Sequence, residues 1–439
     1  LSFESNFFDK KGGFVRMSGS LVCLPILALL VAFFSFTSSA AFAHSDFLPP
    51  KIIQVSPSDP HIDVPTAHLY QNLRNIVDSG HFLFGQEFPT DFQWTKGQIL
   101  DHDPEDSDCK DVLGRHPGVF GADFHYFLEK TSGQRIVHER SVRTANARGS
   151  VITFDWHLSA PQSRGGAFYV NEGNRGLLAE IASGLDDRDQ CVAGPESMCA
   201  WYFGEVEKVL ELVRAFGFPI AFRPLHEMTG FWFWWGLPQH QPAGSREYEE
   251  FAYRYKKLYR ALVKFTRAKG VHNLLYVWSP SNEANFDFYP GDDWVDILGL
   301  DVYEQGTPYG PTLGSFQREL EKISNYARNT GKIAVLAETG FRMGYPEVET
   351  YFWTEKVLHP LKRSKNRIEV AWVLSWMNAQ WERSPYIPFE GMQNSNAIQD
   401  FDKFLKASET LFEGDFEGIN GPNFKIRMGS SSGSDFRFD

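Results

Sequence analysis

The 439 residues carry a formal net charge of −12, with 42% hydrophobic and 22% charged side chains, a composition able to bury a sizeable core. That charge excludes the electrostatic attraction on which nucleic-acid and anionic-membrane binders rely, so neither is expected as a partner. Neutral polymers remain, and 12 tryptophans within an aromatic share of 15% supply flat apolar rings that suit the faces of sugars.

Residues 17–43, MSGSLVCLPILALLVAFFSFTSSAAFA, read as a secretory signal ending in an Ala41-Phe42-Ala43 cleavage site. A retained membrane anchor is the rival reading, but the small residues at the end and the polar stretch after them favour cleavage. The expectation is a secreted, extracellular chain with a mature start at His44, residues 1–16 being upstream sequence. Residues 44–412 form the main domain, and residues 413–439 a C-terminal tail whose low-complexity end, GSSSGSDFRFD, is expected to be disordered. Cys23 falls within the signal. Of the remaining cysteines, Cys191 and Cys199 are expected to pair in an oxidising compartment, leaving Cys109 free.

Eight short runs rich in β-branched and aromatic residues follow in order: 81–87, 118–125, 150–157, 218–227, 274–280, 296–303, 333–340 and 369–376. Amphipathic stretches separate them. Val206, Val209, Leu210, Val213 and Phe216 recur at helical spacing, as do Phe251, Tyr255, Leu258, Leu262 and Phe265, then Phe316, Leu320 and Ile323. A last helix is expected to carry Ile398, Phe401, Phe404 and Leu405. Apolar strands alternating with helices indicate a parallel sheet covered on its outer faces. Eight such units predict an α/β fold closed into a (β/α)8 TIM barrel. Two insertions, 158–198 and 228–245, interrupt the pattern, and the second holds the densest tryptophan cluster. The acidic stretch 101–111 lacks the Gly and closing Glu of an EF-hand and is read as a solvated surface loop.

Glu87, His125, His157, Glu227, Tyr303, Glu338 and Trp376 lie at the C-terminal ends of these runs, the face on which barrels build their sites. Glycosidic hydrolysis asks for one protonated and one ionised carboxyl group facing each other across the scissile oxygen. Glu227, which ends the fourth run, and Glu338, near the end of the seventh, stand three strands apart around the ring, which sets them across the opening. A retaining enzyme needs them about 5–5.5 Å apart. Other chemistries fit less well. His226-Glu227 opens an H-E-x-x-H pattern, but Gly230 stands where the second His belongs. A zinc site built from His125, His157 and His226 is a weaker alternative, because the aromatics around them suit a sugar cleft better.

Several segments carry a resemblance. RPLHEMTGFWFWWG (223–236) resembles the acid/base motif of glycoside hydrolase family 26, whose best-known members are endo-β-1,4-mannanases, and VLAETG (335–340) resembles its nucleophile strand. FDWH (154–157), VWSPS (277–281), YPGDDWVDILGLDVY (289–303) and VLSWMN (373–378) match in the family's order. The resemblance implies Glu227 as acid/base and Glu338 as nucleophile. It implies His157 and His226 as contacts to the sugar at the cut, Tyr303 as hydrogen-bond donor to Glu338, and Trp232 and Trp376 as rings beside the flanking sugars. It implies β-mannan and manno-oligosaccharides as partners; separately, no cofactor or metal is expected, and the chain is expected to be a monomer. The same family includes β-1,3-1,4-glucanases (lichenases) and xylanases, and a non-catalytic carbohydrate-binding barrel is the rival from another class.

Overall fold

Eight parallel strands close into a ring: β1 (Phe82–Glu87), β2 (Val119–Asp123), β3 (Val151–Asp155), β4 (Ile220–Arg223), β5 (Leu274–Trp278), β6 (Ile297–Glu304), β7 (Ile333–Phe341) and β8 (Trp372–Ser375). Each pairs with its neighbour in chain order, and β8 returns to β1 through Leu83 opposite Trp372 and Gln86 opposite Ser375. The (β/α)8 barrel read from the sequence is therefore the fold of the chain. The structure is a computed structural model that describes residues 56–98, 103–128, 132–304, 313–341, 351–363, 367–382, 385–393 and 395–427. The expected signal and the low-complexity end lie outside the described residues.

Side chains alternate across each strand, so one set fills the ring and the other meets the helices. Leu83, Val119, Val151, Ala221, Leu275, Ile297 and Ile333 pack together inside the ring. Helix α1 (Val64–Asp78) joins them through Leu69, Tyr70, Leu73 and Ile76, closing the N-terminal mouth. Phe84, Phe120, Ile152, Phe154, Phe222 and Leu336 belong to the outer layer under the helices. Those helices include α2 (Ser132–Arg148), α3 (Leu177–Ser183), α4 (Met198–Phe216), α5 (Arg246–Ala268), α6 (Leu313–Thr330) and α7 (Ser395–Leu405). Their starts are set by local chemistry. Ser197 accepts from the Ala200 amide at 3.1 Å, and Ser245 from the Tyr248 amide at 3.2 Å, each satisfying a donor the helix cannot. Helix α4 then buries Val206, Val209, Leu210, Val213 and Phe216 and stops at Gly217, which takes a left-handed φ of 71°.

Two features differ from a plain repeat. Residues 410–411 pair with β1 as a ninth strand at the N-terminal mouth. Beyond them, Phe416 and Ile419 are buried in the same cluster as α1, and Asn72 donates to the Ile419 carbonyl at 2.8 Å. Residues 413–427 are thus packed on the barrel. The acidic stretch is also not wholly solvated. Asp108 is buried and accepts from the Trp94 amide and from Asn378 Nδ2, both at 2.8 Å, which ties a loop near β1 to one after β8. Burial pushes its carboxyl up to about 6.

Moving up the ring, the inward residues change from apolar to polar, and space becomes the constraint. Gly121 on β2 sits against Glu87. An added Cβ would collide with the Glu87 carboxylate and lie 3.1 Å from its Cα. Replacing Gly121 with Ala is expected to lower the unfolding free energy by about 1–3 kcal/mol through overpacking. The control Gly133→Ala in α2, where a Cβ meets nothing within 4 Å, should leave stability unchanged or raised. Urea denaturation of the two variants separates these outcomes.

Candidate active site

Four strands send a charged side chain to one point. Arg223, at the end of β4, is buried, and its guanidinium meets Asp301 of β6 at 2.8 Å, Asp155 of β3 at 3.2 Å, and the Glu338 carboxylate of β7. Ser279, just past β5, adds its hydroxyl to Asp301 at 2.8 Å. Tyr303 on β6 donates to the other oxygen of Glu338 at 2.6 Å. Glu338 is thereby held on both oxygens. It reaches this position through a β-bulge. Leu300 pairs with Leu336 and Asp301 with Glu338, while on the other flank Val373 pairs with Leu336 and Ser375 with Thr339. One extra residue in β7 lets Ala337 and Glu338 both face inward, where strict alternation would have turned Glu338 out.

Glu227 arrives by a different route. Beyond β4 the chain makes two left-handed residues, Leu225 (φ 51°) and Glu227 (φ 55°). Each costs of order 1–3 kcal/mol outside glycine, so the surroundings must impose them. The Tyr255 hydroxyl donates to the Leu225 carbonyl at 3.1 Å, and Trp235 Nε1 donates to that of His226 at 2.7 Å. The Glu227 amide donates to the Ser279 carbonyl at 2.8 Å. Trp232 Nε1 then meets Glu227 Oε2 at 2.6 Å. The Trp232 ring lies flat over Gly230, where a Cβ would come within 2.6 Å of Cε2. Burial pushes the Glu227 carboxyl well above the usual range, and the negative charges of Glu338 and Asp301 push the same way. Trp232 and Arg223 oppose them by favouring the ionised form.

Two imidazoles lie beside this pair. His157 and His226 approach through their Nε2 atoms at 3.3 Å. His157 Nδ1 is held by Asp123 at 3.0 Å, and Asp123 also accepts the His157 amide at 3.0 Å. Burial, with Arg223 and His157 nearby, holds His226 well below its ordinary value, so it stays neutral. Burial works to raise Asp123, yet the neighbouring His157 and His125 leave it lowered. Asp155, His157 and His226 offer ligand atoms within 4.8 Å of one another. The set does not include His125, so the three-histidine zinc alternative lacks one of its members. Asp155 is also already bound to the Arg223 cation.

The other aromatic residues divide by position. Trp234 and Trp235 are buried, with their indole N–H groups on the Leu158 and His226 carbonyls at 2.7 Å each. They are packing. Trp376 is half-buried, with its ring 6.3 Å from that of His157. Glu87 sits at the top of β1, raised well above its usual value by burial and by Glu338. Sequence reasoning did not single out Arg223, Asp155, Asp301 or Asp123. The signal available was charged residues at alternate positions inside apolar runs.

A parallel (β/α)8 barrel that gathers two glutamates near its C-terminal mouth is an arrangement that glycoside hydrolases use. Residues 59–375 match the glycosyl hydrolase family 26 model, and the chain belongs to that family. It is 25% identical over 448 aligned residues to a mannan endo-1,4-beta-mannosidase of Bifidobacterium adolescentis, covering 93% of this chain but only 41% of that relative's length. It is 28% identical over 374 residues to a mannan endo-1,4-beta-mannosidase of Bacillus subtilis, covering 76% of this chain and 89% of the other. Its fold is similar to that of an endo-beta-1,4-mannanase double mutant of Cellulomonas fimi, with a TM-score of 0.67, 27% identity, and coverage of 83% and 79%.

Removing the central cation should be costly. Arg223→Ala leaves buried carboxylates unpaired and is expected to lose about 3–5 kcal/mol at neutral pH. Asp155 and Asp301 are already raised well above the usual range by burial. The folded state therefore binds more protons than the unfolded one, and stability rises as pH falls. Chemical denaturation should show the deficit of the variant shrinking between pH 7 and about pH 4.5.

Proposed function

We propose that the protein is a secreted, retaining endo-β-1,4-mannanase that cuts mannan, glucomannan or galactomannan by double displacement. The observation that carries this reading is the contrast between two glutamates at one mouth. Glu338 accepts hydrogen bonds on both oxygens from Arg223 and Tyr303, and Glu227 is pushed toward its protonated form by burial and by Glu338. The two curated relatives are both named mannan endo-1,4-beta-mannosidase, which supports the substrate. Secretion is supported by the apolar run ending at Ala43 and by the pairing of Cys191 with Cys199, whose Cα atoms are 6.0 Å apart. Among the described residues, no helix is long and apolar enough to cross a membrane.

On this reading Glu338 attacks the anomeric carbon while Glu227 gives its proton to the departing glycosidic oxygen. The sugar is left as an ester on Glu338. That ester is neutral, so the charge that raised Glu227 is gone, and Glu227 can remain ionised and take a proton from the incoming water. Tyr303 positions Glu338 through its 2.6 Å hydrogen bond. His157, which keeps some exposure, meets a hydroxyl of the sugar being cut, while the fully buried His226 stands behind it with its Nε2 on that of His157. Trp232 and Trp376 offer ring faces to sugars on either side.

A reducing-sugar assay on glucomannan, galactomannan, mixed-linkage β-glucan and xylan, run with EDTA, tests the substrate. Release from the mannans alone supports the reading, and release only from β-glucan or xylan overturns it. Glu338→Ala is expected to abolish turnover while calorimetry still detects manno-oligosaccharide binding. The alkaline limb of activity tests Glu227. It must be protonated to act, so kcat falls as pH rises through its value. Trp232→Phe removes a donor that favours the ionised form, so the limb should move to higher pH. An unmoved limb would remove Glu227 as the acid.

A further inference from the structure

The two insertions are joined to each other beside the acid. The Val170 amide donates to the Trp232 carbonyl at 2.7 Å, and the Trp234 amide to the Phe168 carbonyl at 3.1 Å. Tyr169 stacks on Phe233, with ring centroids 5.7 Å apart and planes at 24°. Behind this platform lies a cavity of about 620 Å³, bounded by the first insertion, the loop that follows Glu227, and the first turns of α5. That volume falls within the usual range for small-ligand sites, ~300–1,000 Å³.

Its lining is specific in kind. Tyr169 and Phe231 are 59% and 50% exposed and line the cavity together with Trp232, so these large rings are grouped rather than scattered over the surface. The charged groups balance, with Arg175 and Arg254 against Glu247 and Glu250, and Arg254 and Glu250 are paired at 2.5 Å. No net charge selects an ion. Rings beside bidentate guanidinium and carboxylate groups suit a neutral polyol, with one apolar face to stack and vicinal hydroxyls to bind. Trp232 belongs to both places, since it lines the cavity and donates to Glu227.

We propose that this cavity binds a neutral pyranose unit of the polysaccharide on the leaving-group side of the cut, an inference that rests on the mannanase reading above. The direction follows from Glu227. It protonates the departing oxygen, and the cavity lies across Trp232 from it, so a chain leaving past Glu227 runs toward Tyr169 and Phe231. The unit is either a backbone mannose or a galactose branch, which share this chemistry.

The test uses Glu338→Ala protein, which cannot consume its ligand, titrated calorimetrically with linear mannohexaose and with a galactosylated mannopentaose. Adding Phe231→Ala or Tyr169→Ala, both at exposed rings, should weaken binding about three- to tenfold. Weakening for both sugars assigns the site to the backbone, and weakening for the galactosylated sugar alone assigns it to the branch. In otherwise unaltered enzyme, Phe231→Ala should raise KM on galactomannan with kcat kept, and leave hydrolysis of an aryl mannobioside within twofold. Unchanged affinity for both sugars in both ring variants, or no binding of either sugar before the rings are removed, overturns the proposal. Failure of the mannanase reading shows separately, as unaltered enzyme that cuts no mannan. In that event ring-dependent binding still supports the cavity.

Discussion

Asp155, Asp301 and Glu338 converge on the guanidinium of Arg223 inside a ring whose lower layers are mainly apolar. An ionised carboxylate in such a place carries a penalty of several kcal/mol unless it is paired and its lone pairs are filled. Arg223 meets that need for several groups at once because its planar fork can face different directions with different N–H groups. A lysine, with one point of charge on a flexible stem, could not span Asp301 on one side and Asp155 with Glu338 on the other. The pairing is still incomplete in charge. Glu87, Asp155, Asp301 and Glu227 are all raised well above the usual carboxylate range, with burial as the leading cause. Burial thus biases each of these groups toward its protonated form relative to water.

Aiming these carboxyls required departures from regular backbone. Glu338 faces inward because β7 carries an extra residue beside it, and Glu227 reaches the mouth through two left-handed residues. Neither device would persist alone. The bulge lies between β6 and β8, and the left-handed residues are pinned by Tyr255 from α5, Trp235 from the following loop, and the Ser279 carbonyl past β5. The scaffold stability supplied by the apolar layers is what allows local strain of this size to be held at the mouth.

Which parts were legible in the sequence follows from the same physics. The eight strands were readable because ring and outer layer are both apolar at mid-height, giving runs such as LLYVW (274–278) and IAVLA (333–337). Helix faces were readable from spacing, as Val206 to Phe216 shows. Glu227 and Glu338 stood out at strand ends. The buried carboxylates and Arg223 did not, because a charge at an alternate position of a short run looks the same whether it faces the ring or solvent. Period-2 reasoning also assumes no bulge, so it could not place Glu338 on the inner face. Adjacent tryptophans posed a similar limit. Trp232, Trp234 and Trp235 have the same chemistry, and only the fold of the loop puts Trp232 on the acid and the other two into packing.

The division of labour between burial and charge at Glu227 bears on the proposed two-step chemistry. Burial and the charge of Glu338 both raise the carboxyl, but they differ in permanence. Burial is set by the fold and persists through the cycle, while the charge of Glu338 vanishes once it carries a sugar. An acid raised by burial alone would stay protonated and make a poor base for the second step. One raised only by its neighbour would be sensitive to every shift of Glu338. The Trp232 N–H on Oε2 leans the other way, favouring the ionised form, and so brings Glu227 closer to the balance point between the two states. Because the same indole borders the cavity between the insertions, a sugar lodged there would touch the group that sets this balance. Substrate binding at a distance from the cut and the proton affinity of the acid would then share one side chain.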